Sequence, residues 1–308
     1  MDTPDIQRAK VTAANFLPNL EDSVVAVEAP GEGEGFWAGA SSAFAYGGEV
    51  YLAYRTRQPV SMGRGGGVVI ARSTDGEHFE QIATIPKEAM DAESLERPAL
   101  VRAPNGRWRL YLSCATTGTK HWRVELLEAD NPAHFDPTTR RVVMPGDEHW
   151  GVKDPVIQWQ NGKWHAWVTF HPLDIKDHED RMVTKYATSK DGIEWEWHET
   201  ALAGREGQWD SRGARVTAVR VDGTNAMALY DGRASAEENY EERTGIAAGT
   251  AGELSAIGDQ PVAYSPFGKH GLRYYDIVPL EDGSFRIYYE IAKADGSHEL
   301  RTEWRPAA

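Results

Sequence analysis

Five stretches of the chain share one pattern of apolar and polar positions. Each holds an apolar run, a turn with glycine and a run in which apolar and polar residues alternate; in residues 150–172 these read WGVKDPVIQWQ, NG and KWHAWVTFHP. Alternation with a period of two is typical of strands, and turns of this composition favour tight hairpin loops. The turns are Gly47-Gly48, Asn105-Gly106, Asn161-Gly162, Asp222-Gly223 and Asp282-Gly283.

The even spacing of these turns indicates internal repeats. Their first residues lie 58, 56, 61 and 60 positions apart, and a period of this kind decides the architecture of a chain. Further turns at Asp75-Gly76 and Asp191-Gly192 add a third and a fourth strand to the repeats. Four antiparallel strands in each of five repeats predict an all-β fold, a five-bladed β-propeller, in which radial repetition protects the sheet edges.

The two ends of the chain complete this prediction. The fifth repeat stops after its third strand, and residues 22–30 precede the first repeat in the place that a fourth strand takes elsewhere. We therefore expect residues 22–30 to complete the last blade and close the ring, which removes two free edges. Residues 1–21 would form an N-terminal arm. Residues 1–308 then make a single domain, with blades that begin near residues 36, 94, 150, 209 and 270.

Composition and charge narrow the possible partners. Hydrophobic residues make up 41% of the 308 residues, with 11 Trp and 12 Tyr, which is enough for an aromatic-rich core. The formal net charge of −14 opposes binding to nucleic acid and to anionic membranes, since both need a basic surface. The chain begins without the pattern of a signal peptide and has no long apolar run, so we expect a cytoplasmic protein. Its oligomeric state stays open.

Acidic, basic and aromatic residues recur where the blades would open onto a central funnel. In a propeller blade, the residues before the first strand, the end of the second strand and the following loop meet at one face of the ring. Glu96, Asp154 and Asp210 precede or begin three successive blades. Tryptophan suits the apolar face of a sugar, whereas Arg and carboxylates suit its hydroxyls. The other funnel residues are Trp37, Arg55, Arg57, Arg64, Arg97, Lys120, Trp150, His171, Trp209, Arg212, Asp231, Arg233, Glu241 and Tyr275.

Short motifs of the repeats resemble those of known enzymes. The KDP triplet at 153–155 looks like the RDP or DP motifs of the five-bladed propeller glycosidases, glycoside hydrolase families 43, 32 and 68, 117 and 130. The stretches STDG..F and SKDG..W look like their blade hairpins. The resemblance covers nearly the whole chain as repeat architecture but only a few residues as motif. It implies a glycoside hydrolase that acts on a small oligosaccharide or glycoside.

The same resemblance implies roles for four carboxylates. Breaking a glycosidic bond requires a proton for the leaving oxygen and a base or a nucleophile, while the transition state is cationic. Asp154 would orient the sugar hydroxyls and stabilise that cation. Glu96 and Asp210 would divide the base and acid roles, with Glu241 as a substitute acid. From the residues alone, Asp154 could instead cap a turn, Glu96 could pair with Arg97, and Asp210 could belong to an Asx-turn.

One position departs from the resemblance. Families 43 and 32 carry their base or nucleophile Asp on the first blade, where this chain has Ala40 and Ser41. Either the triad is rotated by one blade or the hydrolytic set is incomplete. A phosphate-dependent glycoside phosphorylase, as found in family 130, is one alternative, because basic residues can hold phosphate. A non-catalytic carbohydrate-binding propeller is the other.

No cofactor is predicted. The chain has no HExxH motif, EF-hand or cysteine cluster. Calcium or another ion on the propeller axis stays open, as in some members of family 43. The single cysteine, Cys114, is interpreted as a small packing residue rather than a nucleophile.

Overall fold

The computed structural model describes residues 14–307, and the regular structure of this part of the chain is β-strand with a few short 3-10 turns. The predicted all-β fold is therefore confirmed. In chain order the strands are β1 (Val24–Val27), β2 (Trp37–Tyr46), β3 (Glu49–Arg57), β4 (Gly65–Ser73), β5 (Glu80–Pro86), β6 (Leu95–Arg102), β7 (Trp108–Ala115), β8 (Trp122–Ala129), β9 (Arg141–Met144), β10 (Trp150–Gln160), β11 (Lys163–Pro172), β12 (Val183–Ser189), β13 (Glu196–Ala203), β14 (Gly213–Asp222), β15 (Asn225–Arg233), β16 (Arg243–Thr250), β17 (Glu253–Ile257), β18 (Leu272–Pro279), β19 (Phe285–Ala292) and β20 (His298–Arg305).

The strands assemble into antiparallel sheets of four, as the repeats predict. Strands β6 to β9, β10 to β13 and β14 to β17 form three separate sheets. A larger sheet holds β2 to β5 together with β18, β19 and β20, and β1 pairs with β20 in antiparallel fashion. A single parallel pair, Trp37 with His298, joins β20 to β2. This sheet therefore consists of two antiparallel sets of four strands.

The glycine turns lie where the sequence pattern places them, between the first and second strands of each set. Gly47 and Gly48 have φ values of 64° and 79°, and Asn161 and Gly162 have values of 53° and 76°. Positive φ at both central residues is what a two-residue hairpin turn of the mirror-image type requires. The turn chemistry thus explains why each hairpin closes where it does.

Neighbouring sets pack face to face through apolar side chains. Leu110, Leu112 and Leu127 of one sheet pack with Val68 and Ile70 of the preceding set in one buried cluster. The first strands of the sets also contact one another in cyclic order: β2 with β6, β6 with β10, β10 with β14, β14 with β18, and β18 with β2. One end of these five strands is therefore a common meeting point for side chains from every set.

A bulge interrupts each first strand near that end. The pairing of the first with the second strand shifts register after Gly39, Leu95, Lys153, Val216 and Arg273, respectively. In three strands a non-glycine residue at the bulge takes the left-handed conformation: Ala40 (φ 50°), Asp154 (φ 54°) and Tyr274 (φ 54°). Bulges redirect side chains and are frequent beside active sites.

The N-terminal residues that the structure describes are anchored. Phe16 is buried and lies edge-on to the ring of Phe285, with ring centroids 5.1 Å apart. Its carbonyl oxygen accepts a hydrogen bond of 2.6 Å from the hydroxyl of Tyr275. Residues 1–13 of the predicted N-terminal arm lie outside the described residues. Among residues 14–307, no helix has the length and apolarity needed to cross a membrane.

Candidate functional site

A cavity of about 340 Å3 opens at the bulged end of the first strands. Basic side chains outnumber acidic ones in its lining by eight to five, although the whole chain carries a net charge of −14. The basic residues are Arg55, Arg57, Arg64, Lys120, Lys153, Arg215, Arg233 and Arg273, and the acidic residues are Glu96, Asp177, Glu179, Asp180 and Glu242. His171, Trp122, Tyr240 and Tyr274 complete most of the wall.

Glu96 lies in the lining, where two arginines hold it. Its carboxylate accepts hydrogen bonds from Arg55 Nε at 3.0 Å and from Arg57 Nη1 at 2.6 Å. Burial by itself would raise the pKa of Glu96, but the charges of Arg57 and Arg55 lower that pKa well below its usual range. Glu96 therefore stays ionised, and its partners are Arg55 and Arg57 rather than Arg97.

Glu242 makes a second cluster of this kind, which sequence reasoning missed. Its carboxylate accepts from Arg233 and from Arg273 Nη1 at 2.7 Å, and Arg215 Nη2 lies 3.7 Å away. Burial opposes ionisation, yet these arginines lower the pKa of Glu242 well below its usual range. The predicted Glu241 points elsewhere, with Oε1 3.3 Å from His298 Nε2 and Oε2 accepting from the Gly271 N–H.

Asp154 lies directly behind the cavity wall with one oxygen unpaired. Its N–H donates to Ser113 Oγ at 2.9 Å, and its Oδ2 accepts from Arg215 Nη1 at 3.1 Å and from the Tyr274 hydroxyl at 3.4 Å. The side chain is fully buried, and Oδ1 has no partner among the described residues. An unsatisfied buried oxygen and a left-handed non-glycine backbone each cost about 1–3 kcal/mol. Such costs are concentrated at functional sites.

Tyr274 connects Asp154 to the cavity. Its ring faces three guanidinium groups, those of Arg215, Arg273 and Arg55, at 3.9, 5.2 and 5.6 Å from the ring centroid. Its hydroxyl accepts from Arg215 Nη1 at 3.0 Å and donates to Asp154. Tyr274 lines the cavity, whereas Asp154 does not. The hydroxyl is therefore the group through which Asp154 can reach a ligand.

The predicted neighbour Tyr275 faces away from the cavity. Its ring stacks on that of Tyr289 with centroids 5.4 Å apart, and its hydroxyl donates to Phe16. The left-handed backbone at Tyr274 turns that side chain toward the cavity. The run RYYD holds no local signal that distinguishes the two tyrosines.

Asp231 supports this centre from behind. Its Oδ2 accepts from Arg215 Nη2 at 2.7 Å, and both of its oxygens accept from the Tyr274 N–H. Burial raises the pKa of Asp231 to about 6, against the opposing charge of Arg215. Asp231 thus orients Arg215 and the backbone of Tyr274.

His171 presents a neutral imidazole to the cavity. Its Nδ1 lies 2.8 Å from the carbonyl oxygen of Glu179 and must carry the proton, because a carbonyl only accepts. Nε2 has no partner among the described residues. Burial lowers the pKa of His171 to about 3, and the nearby charge of Lys153 adds to this effect. The Nε2 lone pair is therefore an acceptor on the cavity wall.

We expect His171→Asn to reduce the acid sensitivity of the fold. The unfolded chain takes up a proton on this histidine below about pH 6.5, whereas the folded protein does so only near pH 3, so the wild type loses stability as the pH falls. Between pH 7 and pH 5 this loss is about 2 kcal/mol relative to the variant, whose amide can still donate to Glu179. Urea unfolding at both pH values measures it. Equal losses in the two proteins would contradict a neutral buried His171.

The structure brings some predicted residues together and separates others. Arg55, Glu96, His171 and Arg233 line the cavity, as do Arg57, Arg64 and Lys120. Trp37 supports the wall from behind, with Arg57 stacked 4.9 Å from its ring centroid. Arg212 pairs with the lining residue Asp180 at 2.6 Å. Arg212 and Trp150 themselves line a separate surface pocket.

Asp210 is not brought to Glu96 and Asp154. Its carboxylate accepts from Arg205 Nε at 3.0 Å and from the Tyr230 hydroxyl at 2.7 Å, and it does not line the cavity. Trp209 stacks on the same Tyr230. Asp210 precedes the first residue of β14, Gly213, so it falls outside the strand end that faces the cavity.

Arg97 lies among the bulges of the first strands and does not line the cavity. Its guanidinium donates to the carbonyl oxygens of Ser41, Thr217 and Tyr275, at 3.3, 2.8 and 3.2 Å, which belong to three different first strands. A cation of the chain itself therefore joins these strands. Among residues 14–307, no three His, Cys, Asp or Glu side chains cluster so as to hold a metal ion.

The first set of strands, β2 to β5, contributes no carboxylate at its bulge. Ala40 occupies the position there that Asp154 has in β10, and its N–H donates to Glu290 Oε2 at 3.1 Å. Glu290, on β19, also pairs with Arg55 at 2.9 Å and with Arg273 at 2.8 Å. A side chain at Gly39 would collide with this carboxylate. Glu290 thus fills the space beside Ala40, and its carboxylate is already paired with arginines.

Comparison with known proteins identifies the fold. No protein-family model and no curated protein matches the chain. A thermostable family-43 glycoside hydrolase covers 91% of this chain and 91% of its own, with a TM-score of 0.67 and 13% identity. A glycosyl hydrolase from Bacteroides ovatus covers 93% and 90%, with a TM-score of 0.64 and 15% identity. A β-1,2-mannobiose phosphorylase from Listeria innocua covers 92% and 91%, with a TM-score of 0.60 and 16% identity. The chain shares the fold of these proteins.

Proposed function

We propose that the protein is a carbohydrate-active enzyme, a glycoside hydrolase that cleaves a small glycoside in the central cavity. The observation that carries the proposal is Asp154, a fully buried carboxylate with an unpaired oxygen and a left-handed backbone, linked to the cavity by Tyr274. The folded chain gains nothing from an unsatisfied buried oxygen, so a role in chemistry accounts for it. The shared fold of sugar-cleaving enzymes supports this by analogy.

We infer that the five sets of strands form a closed five-bladed propeller around this cavity. The cyclic contacts of the first strands and the pairing of β1 with β20 support that arrangement. In such a ring the cavity lies on the axis, and each blade supplies residues from its first strand or from the following loop.

The proposed chemistry runs through a short proton path. Glycosidic cleavage needs a proton transfer and a negative environment for the cationic transition state. In the hydrolytic step the attacking water gives its proton to the Tyr274 hydroxyl, which passes its own proton to Asp154 Oδ2 at 3.4 Å, while the leaving oxygen takes a proton from solvent. Glu96 and Glu242 stay ionised and hold the arginines of the wall in place. Only Asp154 among these three has an oxygen without a partner in the described residues.

The basic lining favours phosphorolysis as a second candidate. Inorganic phosphate is itself a nucleophile and needs no general base, so a single functional carboxylate would be sufficient. The eight basic side chains of the wall provide a place for it. A phosphorylase would release a sugar phosphate instead of a free reducing sugar.

A substrate screen tests both candidates. Wild-type protein is incubated with aryl glycosides and small oligosaccharides, neutral and acidic, with and without inorganic phosphate, and the products are separated by mass. We expect a free sugar to be released at a rate that does not depend on phosphate. If a sugar phosphate forms, and forms only when inorganic phosphate is present, the enzyme is a phosphorylase and not a hydrolase. Saturable binding without any turnover would contradict both and favour a non-catalytic binding protein.

A further inference from the structure

We infer that the ligand of the cavity carries a carboxylate, so that the substrate is a glycoside of an acidic sugar of the uronic acid type. The identity of the ligand as a sugar rests on the proposed function, whereas its negative charge is argued from the cavity alone. Three features carry the inference: buried arginine donors without partners in the wall, cations at the rim, and the net positive charge of the lining.

Unpaired donors of three buried arginines belong to the cavity wall. Arg55 Nη1, Arg57 Nε and Arg233 Nε have no partner among the described residues, and the side chains are between 0% and 5% exposed. Each of these arginines already pairs with a glutamate through its other nitrogens. A buried charged donor without an acceptor is costly, by about 1–3 kcal/mol or more. An anionic ligand in the cavity would compensate the charge of these arginines, which a neutral hydroxyl does not.

The rim adds further cations, of which Lys153 and Arg64 each lie 3.5 to 3.6 Å from one carboxylate, that of Asp154 and that of Glu93. Lys153 Nζ lies 4.8 Å from the ring centroid of Trp122 and 3.6 Å from Asp154 Oδ2, and the guanidinium of Arg64 lies 5.8 Å from the same ring. Lys120 is exposed beside them. The indole of Trp122 thus lies near two cations at the entrance. An anionic ligand would meet this charge before it reaches the buried arginines.

The lining keeps a net positive charge. Its eight basic side chains exceed its five carboxylates, which favours a bound anion, and the titration below distinguishes a sugar carboxylate from inorganic phosphate. A sugar carboxylate presents two coplanar oxygens, each of which can accept a hydrogen bond from a different basic side chain of the wall. The imidazole Nε2 of His171 and the hydroxyl of Tyr274 remain available for sugar hydroxyls.

Calorimetric titration with defined sugars tests the inference without requiring turnover. The probes are methyl β-D-glucuronide and D-galacturonate, the neutral methyl β-D-glucoside and D-galactose, and inorganic phosphate. We expect at least one acidic sugar to bind at least tenfold more tightly than its neutral counterpart and to weaken as salt is raised from 0.1 to 0.5 M. Tighter binding of the neutral partners, binding of phosphate in preference to both acids, or binding of none of the sugars would overturn the inference.

Two lysine variants localise the effect. Lys153→Met is expected to weaken binding of the acidic sugar at least tenfold and to leave the affinity for a neutral sugar within threefold. Lys163→Met is the matched control, because Lys163 is exposed at the turn end of the same hairpin. Circular dichroism confirms that both variants are folded, and Arg64→Gln serves if Lys153→Met is not. Equal effects at Lys153 and Lys163 would overturn the inference.

The two proposals can fail separately. Hydrolysis of neutral glycosides with no affinity for acidic sugars would remove the inference and keep the proposed function. Tight binding of an acidic sugar without cleavage of any of its glycosides would keep the inference and remove the proposed function.

Discussion

Replacing Asp154 with asparagine is expected to lower kcat by about 10²- to 10⁴-fold on the substrate identified by screening. This range is typical for the loss of one proton-transfer group. Asparagine has nearly the same shape and can still accept a hydrogen bond from Arg215 through its amide oxygen. It cannot take up a proton from the Tyr274 hydroxyl, so the rate of the chemical step should fall while KM changes little. Steady-state kinetics with purified variants measures both parameters.

Two further variants make this expectation specific. Asp210→Asn is the matched control, because its carboxylate is held by Arg205 and Tyr230 away from the cavity; its kcat should stay within about threefold of wild type. Tyr274→Phe removes the hydroxyl of the proton path, and its loss in kcat should not add to that of Asp154→Asn, since two groups that act as one unit are not additive. Full activity of Asp154→Asn, or additive losses in the double variant, would refute the path.

Replacing Glu290 with alanine is expected to lower the free energy of unfolding by about 3–5 kcal/mol, because removal of one partner leaves buried charges uncompensated. Glu290 is fully buried and pairs with Arg55, Arg273 and His298, and it also accepts from the Ala40 N–H. The charges of Arg273 and Arg55 overcome its burial and hold the pKa of Glu290 well below its usual range. The loss should therefore appear at neutral pH. Urea denaturation of the wild type and the variant measures it.

A surface glutamate provides the comparison. Glu199 lies exposed in β13, and Glu199→Ala should change the unfolding free energy by no more than about 0.5 kcal/mol. A loss below about 1 kcal/mol in Glu290→Ala would mean that the arginines find other partners or water. The buried network would then contribute little to stability, which is a known outcome for some buried ion pairs.

Two differences between the predicted site and the cavity are shifts by one residue. The sequence predicts Tyr275 and Glu241 for the cavity, whereas Tyr274 and Glu242 line it. Successive strand residues point to opposite faces, so a single-residue shift in register exchanges the two sides. The bulge after Arg273 makes such a shift, and no residue type in RYYD indicates it. The cavity residues Lys153, Arg215 and Arg273 were missed as well.

Predicted residues at the ends of second strands lie together in the structure. Arg55, His171 and Arg233 lie at the ends of second strands, and the structure places all three in the cavity lining. Asp210 fails the same rule, because it lies three residues before its strand begins and a turn carries it aside. Residues at the end of a second strand can therefore be placed from the repeat, whereas residues at the bulge of a first strand or in a preceding turn cannot.

The sequence by itself determined the repeat, the glycine turns and the four-stranded sheets, because alternation and turn chemistry are local properties of the chain. The tertiary structure alone decided which charges meet. Glu96, Glu242 and Glu290 each find arginines 9 to 235 residues away in sequence, and their ionisation depends on those partners and on burial. No local pattern encodes such pairings, since they depend on how strands and loops converge around one cavity.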